Sequence, residues 1–483
     1  MDSTAGAATG FRVAVRAVRA SDRRYAGPRS RRPGCAPGGA RPARQQLKAM
    51  SWQIAVALYM VVLVALLVFG VAIGSVMGLV GILGVTLASG TQLWSTLGDI
   101  VWNTTNSFTL VAVPLFVLMG EIILRSGVSK RFYGGLSRLM YRVRGGLAQS
   151  NIVGCAIFAA ISGSSTATAL TIGTVALPEM RRRGYADELT LGTLTGGGCL
   201  GILIPPSIPM VIYATVVQES VIDLFMAGVV PGIVLTVMFM IWVWAKVLMK
   251  PSIVPPVMER PSGHDIMMGL VNCLPVVALL LAIIGGMYFG VVTPTEAAAF
   301  GCFAALLIGL GYRELTWSDM RHALRNAVVT NAVVMFIIVN SQILSYALTS
   351  AGIGRGVSAA LAGLGVSPFL FYACLFLLYL VLGMFIDGIS MMLLTVPLLY
   401  PTLKTMGFDG VWFGVVLVVM IELGQLTPPM GLNLFAIHSI AAPAKLGQIA
   451  RSSAPYAVLI SLLCFLLYFY PQLALWLPAS LKS

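Results

Sequence analysis

Residues 149–180 read QSNIVGCAIFAAISGSSTATALTIGTVALPEM. A helix crosses the hydrocarbon layer in about 20 apolar residues. This stretch is longer than one crossing and breaks at its middle, at Ser162-Gly163-Ser164-Ser165-Thr166. Basic residues flank it on both sides. Arg125, Lys130, Arg131, Arg138, Arg142 and Arg144 come before it, and Arg181-Arg182-Arg183 follow. Lys and Arg favour the cytoplasmic side, so a single crossing would strand one cluster outside. A helical hairpin that dips in and returns keeps both clusters inside. Irregular backbone at membrane depth is tolerated only inside protein or beside a wet cavity. The charge pattern therefore predicts a re-entrant hairpin with a cavity at its tip.

The rest of the chain agrees with a membrane setting. It has 483 residues, 58% hydrophobic and only 10% charged, against about 25% charged in an ordinary soluble domain. This excludes a soluble enzyme, a nucleic-acid-binding module and a disordered protein. Further spans are expected near 52–70, 75–93, 108–124, 188–217, 223–246, 270–289, 295–311, 326–348, 410–438 and 455–476. The net charge of +14 is uneven, because residues 1–49 hold 11 Lys/Arg and 2 acids, a net of +9. This Arg-, Pro- and Gly-rich tail reads as disordered. Two readings stay open: translation starts at Met50, or the tail is a basic arm for anionic lipid. Counting spans back from the basic loop puts the tail outside, which favours the first reading or a different count of the first two spans. The seven cysteines show no CxxC pair and the three histidines are scattered, so no metal centre, disulfide framework or catalytic constellation is expected.

A second long apolar stretch, 369–400, breaks at Gly383-Met384-Phe385-Ile386-Asp387-Gly388. Its flanks are poor in basic residues, so it reads as a hairpin entering from the opposite face. A shift of 223 residues lays Ser164 on Asp387, Pro178 on Pro401, Gly184 on Gly407, Gly201 on Gly424 and Pro205-Pro206 on Pro428-Pro429, without a gap. Each half then reads as a hairpin followed by a span broken at a Pro-Pro pair. Opposite orientation of the halves makes this an inverted repeat, the plan of secondary transporters with a midplane site. The expected fold is an all-α polytopic membrane protein with two re-entrant hairpins and two broken helices. Repeat one covers about 108–246 and repeat two about 326–476, within a transport domain of 50–483.

The candidate binding residues follow from the breaks. Five hydroxyls lie within seven residues at Ser162, Ser164, Ser165, Thr166 and Thr168, around Gly163. Hydroxyl and freed carbonyl oxygens suit Na⁺ and a carboxylate's hydrogen bonds; small side chains also serve close packing or bonding to the preceding turn. Pro205-Pro206-Ser207 and Thr427-Pro428-Pro429 with Asn433 lie in the broken spans. Proline there gives either half-helices whose ends face the ligand or a mere kink. An acid in the bilayer costs roughly 2.5–3.5 kcal/mol on insertion scales, so Asp387 is expected to bind a cation or pin its tip, the alternative being a structural acceptor. Glu121 and Arg125 read as a helix-face pair. Thr293-Pro294-Thr295-Glu296 reads as a capped helix start.

Val113-Pro114-Leu115-Phe116, Ser162–Thr166, Leu203-Ile204-Pro205-Pro206-Ser207, Thr293–Ala298, Gly383–Asp387 and Thr427-Pro428-Pro429 together resemble the DctM-like large permease subunit of tripartite ATP-independent periplasmic (TRAP) transporters. The similarity runs from about Ser51 to Leu477. The resemblance implies a multi-pass protein of the bacterial inner membrane working as an elevator, with Na⁺ as coupling ion and no cofactor. It implies two partners, a small four-helix membrane subunit and a periplasmic binding protein that delivers an organic acid such as a C4-dicarboxylate. By the resemblance, substrate and ions gather at Ser162–Thr166, Pro205–Ser207, Asp387–Gly388 and Thr427–Asn433, with Na⁺ near Ser164, Ser165, Asp387 and Thr427. No GxxxxGK[ST] motif occurs, in keeping with ion-driven transport. The alternative is a stand-alone Na⁺/carboxylate symporter without a binding protein.

Overall fold

The computed structural model describes residues 51–89, 94–255 and 261–480; the expected tail, 1–49, lies outside the described residues. Every regular element among them is a helix. In chain order these are α1 (Trp52–Val68), α2 (Ile73–Ser89), α3 (Trp94–Thr105), α4 (Ala112–Arg125), α5 (Val128–Leu139), α6 (Leu147–Ser162) and α7 (Ser165–Arg182). Then come α8 (Asp187–Gly198), α9 (Ile208–Val217), α10 (Val221–Met249), α11 (Gly263–Tyr288), α12 (Pro294–Tyr312) and α13 (Trp317–Ser350). The last are α14 (Ile353–Gly363), α15 (Pro368–Gly383), α16 (Gly388–Thr405), α17 (Gly410–Leu426), α18 (Leu432–Ile440), α19 (Leu446–Phe469) and α20 (Gln472–Ser480).

Both long apolar stretches fold back on themselves. Gly163 ends α6 with a left-handed φ of 57°, which a side chain rarely tolerates. Ser164 is extended, and its hydroxyl accepts the Ala167 N–H to start α7. Asn151 Nδ2 lies 3.0 Å from Met180 Sδ at the base of this hairpin. In the second stretch the Tyr379 and Thr395 hydroxyls meet at 2.6 Å. One continuous helix would hold two residues sixteen apart about 24 Å from each other, at 1.5 Å per residue, so the chain reverses between them. Asp387 caps α16 by accepting the Ser390 N–H at 3.0 Å, and Ser164 and Asp387 are the residues that the 223-residue shift superposes.

The shift holds for whole elements. α7 and α16 correspond at both ends, α8 and α17 start in register, and α9 and α18 end in register. The expected spans at 188–217 and 410–438 are each two helices, parted at 199–207 and 427–431. Pro205–Pro206 and Pro428–Pro429 are both cis. The halves also exchange contacts: α7 packs on α18, and α16 packs on α9. Arg181, at the end of α7, donates to the Ala442 and Ala441 carbonyls just past α18, at 2.8 and 3.0 Å. Lys404, at the matching place on α16, bonds Glu219 just past α9, at 3.0 Å.

Burial separates an inner group of helices from an outer one. All of α17 is buried, and nearly all of α6 and α8. The long outer helices α11, α12 and α13 turn apolar side chains such as Leu274, Phe303 and Val328 outward, as hydrocarbon surroundings allow. Among the described residues, five helices, α10 to α13 and α19, are long and apolar enough to cross a membrane by themselves.

Several elements differ from expectation. The helix expected from 326 begins at Trp317, because Thr316 and Asp319 form a capping box that carries the polar turn around Arg321 and Arg325 into it. The span expected from 455 begins at Leu446. α3 joins α4 at a 54° bend. Two amphipathic helices lie outside the expected spans, α5 in the basic loop and α14 just after α13. α5 buries Val128, Phe132 and Leu136 and leaves Lys130 and Arg131 outside. Glu121 does pair with Arg125, at 3.4 Å, and Thr293 with Glu296 closes the box that starts α12.

Candidate substrate and ion site

The two hairpin tips meet the two broken spans at one cavity of about 190 Å³. Its lining includes Gly163, Ser164, Ser165 and Thr166 from the first tip, and Asp387, Gly388 and Ile389 from the second. Ile202 and Ile208 come from the first broken span, and Gln425 and Leu432 from the second. Val117 on α4 and Thr330 on α13 close it from the outer helices. Drug-sized ligands occupy roughly 300–1,000 Å³, and a water about 30 Å³. The space therefore suits a small solute with a few waters or ions.

Four helices begin at this wall: α7 at Ser165, α9 at Ile208, α16 at Gly388 and α18 at Leu432. Each N-terminus carries roughly half a positive charge and unpaired N–H groups. No Lys, Arg or His lines the cavity among the described residues. Backbone dipoles therefore make the wall attractive to an anion without any fixed cation. Asp387 is the one carboxylate in the lining.

Some candidate residues gather here and others do not. Gly163, Ser164, Ser165, Thr166, Asp387 and Gly388 line the cavity. Ser162 lines an adjoining cavity of about 150 Å³ with Ser164, Gly120 and Glu121, and its hydroxyl lies 2.6 Å from that of Thr168. Pro205, Pro206 and Ser207 are buried behind the tip. A Cβ added to Gly163 would come 3.2 Å from the Pro206 carbonyl, so the close approach needs a glycine. Thr427 donates to the Leu423 carbonyl at 2.6 Å, Pro428 and Pro429 are exposed, and none of the three lines the cavity. Asn433 is fully buried, its Nδ2 donating to Cys199 Sγ at 3.4 Å.

The sequence reading omits Thr330 and Gln425, whose types carry no signal alone. It also omits Glu422, an acid inside the apolar helix α17. Glu422 is fully buried; its Oε1 accepts the Ser165 hydroxyl and the Ile202 N–H. The rule that singles out Asp387, an ionisable residue at membrane depth, would have found it. Among the described residues, no three His, Cys, Asp or Glu side chains cluster as a metal site.

The family model for the DctM component of tripartite ATP-independent periplasmic transporters matches residues 60–473. The chain belongs to that family. A C4-dicarboxylate TRAP transporter large permease protein DctM of Pseudomonas aeruginosa is 34% identical, over 83% of this chain and 93% of the relative. A 2,3-diketo-L-gulonate TRAP transporter large permease of Escherichia coli is 33% identical, over 77% and 87%. The isethionate TRAP transporter permease DctMQ of Oleidesulfovibrio alaskensis is 30% identical over 85% of this chain and 64% of its own length. The fold resembles the YdaH transporter of Alcanivorax borkumensis, with a TM-score of 0.54 over 80% and 88% of the two chains at 14% identity. The TRAP large permease is thus a transporter subunit of the bacterial inner membrane and not an enzyme. Its family implies a periplasmic binding protein and a small membrane subunit as partners.

Proposed function

We propose that this permease takes up a small organic acid, a C4-dicarboxylate or a close analogue, by Na⁺ symport. The observation that carries the reading is the convergence of four helix N-termini on one small cavity that also holds a carboxylate. The N–H groups suit the acid's oxygens. Asp387 and the hydroxyls of Ser164, Ser165 and Thr166 suit Na⁺ beside it. The substrates named for the three relatives are all small organic anions. One positive charge moving inward gains about 2.3 kcal/mol per 100 mV, enough to drive accumulation when positive charges outnumber the acid's negative ones.

The halves are read as an inverted repeat. Contacts related by the same shift run in both directions, Arg181 to residues 441–442 and Lys404 to Glu219. Reciprocal contacts of this kind mark two-fold relations between like units. In the elevator reading, the inner helices with both tips move as one body past α4 and α13, which supply Val117 and Thr330 to the cavity wall.

The test is uptake of a labelled C4-dicarboxylate into proteoliposomes holding the permease, its small subunit and the binding protein. Uptake is expected to need an inward Na⁺ gradient and the binding protein. Equal uptake with choline in place of sodium overturns the coupling. In a cysteine-free background, Lys130→Cys and Arg183→Cys are expected to label from the same side; labelling from opposite sides removes the first hairpin's re-entrant course.

A further inference from the structure

Glu422 is the one fully buried carboxylate among the described residues. Its two oxygens fare differently. Oε1 has two donors, the Ser165 hydroxyl and the Ile202 N–H. Oε2 is buried and has no partner. No Lys, Arg or His forms an ion pair with this side chain. Close by, Asn433 is in the same condition. Its Nδ2 is bonded to Cys199 Sγ, which itself lies 3.8 Å from the Glu422 backbone oxygen. The Asn433 Oδ1 is buried without a partner. Two buried residues with an orphan oxygen each, one of them a carboxylate, thus meet at Cys199 behind the cavity wall.

Buried polar atoms are paired in native proteins with few exceptions, and each exception calls for a cause. A buried charge without a partner is costlier still. Protein donors satisfy only one side of this carboxylate. A small hard cation fits the other, since it wants oxygen ligands and brings the missing positive charge.

We propose that Glu422 and Asn433 hold a sodium ion between the two halves, at a site separate from the tips. The inference rests on the Na⁺-coupled reading above and names a residue for it. The location gives the ion a task. Ser165, Cys199 and Ile202 belong to the first half, and Glu422 and Asn433 to the second. An ion on Oε2 keeps Glu422 in place as acceptor for Ser165, which lines the cavity at the start of α7. Ion binding there orders the first tip from behind without touching the substrate.

The experiment measures binding of radioactive sodium to the purified full chain in detergent, with unfolding temperature recorded over a sodium chloride series against choline chloride. Glu422→Gln keeps an acceptor for Ser165 and removes the charge. It is expected to bind one sodium ion fewer than the unmodified chain. Asn433→Ala keeps the carboxylate and is expected to raise the half-saturating sodium concentration about tenfold, as for loss of a metal-site partner. Unchanged stoichiometry and half-saturation in both variants overturn the site while the Na⁺-coupled reading stands. If Glu422→Gln does not fold, Asn433→Ala decides alone, and an unchanged half-saturation overturns the proposal. An unmodified chain that binds no sodium overturns both.

Discussion

The two hairpin tips share a backbone plan and differ in chemistry. In the first, Ser164 caps α7, Ser165 is buried, and Gly163 sits against the Pro206 carbonyl. In the second, Asp387 caps α16 but is itself exposed, beside Phe385 at 63% exposure. The breaks follow suit. Residues 199–207 are almost wholly buried, whereas Pro428, Pro429 and Met430 are exposed. The first half thus supplies neutral, packed hydrogen-bonding groups, and the second supplies charge and an opening. Where two copies keep the same frame, the positions at which they differ carry the work. Glu422 fits this rule, since its counterpart under the shift is Cys199.

The largest expected effect comes from a backbone-to-backbone helix contact. A Cβ at Gly424 would lie 2.6 Å from Gly383 Cα, where α15 and α17 touch backbone to backbone. Gly424→Leu is expected to abolish the monodisperse folded species in size-exclusion chromatography. The first half has Ala160 where the second has Gly383, and Ala160→Gly is expected to cost only about 1 kcal/mol, read as a small drop in unfolding temperature.

Next comes the tip chemistry. Asp387→Ser gives the second tip the first tip's cap. It is expected to leave the unfolding temperature unchanged and to abolish Na⁺-dependent uptake; normal uptake would show that only the cap matters. Ser164→Ala removes the first cap and is expected to cost about 1 kcal/mol.

The end contacts come last. Arg181 makes two bonds to Asp187 as well as two to carbonyls, so Arg181→Met is expected to destabilise by about 1–3 kcal/mol. Lys404 is more exposed than Arg181, and Lys404→Met is expected to cost less than about 1 kcal/mol. Equal losses in thermal unfolding would erase this difference between the halves.

The reversals and breaks were legible because proline, glycine and basic clusters leave local marks at 163, 205–206, 383–388 and 428–429. The short helices were not. α5 and α14 are too short to cross a bilayer, and the charges of α5 read as loop. The cavity's outer wall was hidden for another reason: Thr330 and Val117 are ordinary residues that matter only through where α13 and α4 pack. Glu422 announced itself by charge, but its partners Ser165 and Ile202 lie over 200 residues away, a pairing that only the assembled fold reveals.

The crossed anchors at the two ends make neither half self-sufficient. Residues just past each stub helix receive the arm of the other copy, so a lone copy would have left both anchors empty. Under the two-fold reading, two separate halves would have to dock reciprocally, each holding the other's arm. Carrying both halves on one chain makes that encounter intramolecular, so each anchor finds its arm at a high effective concentration.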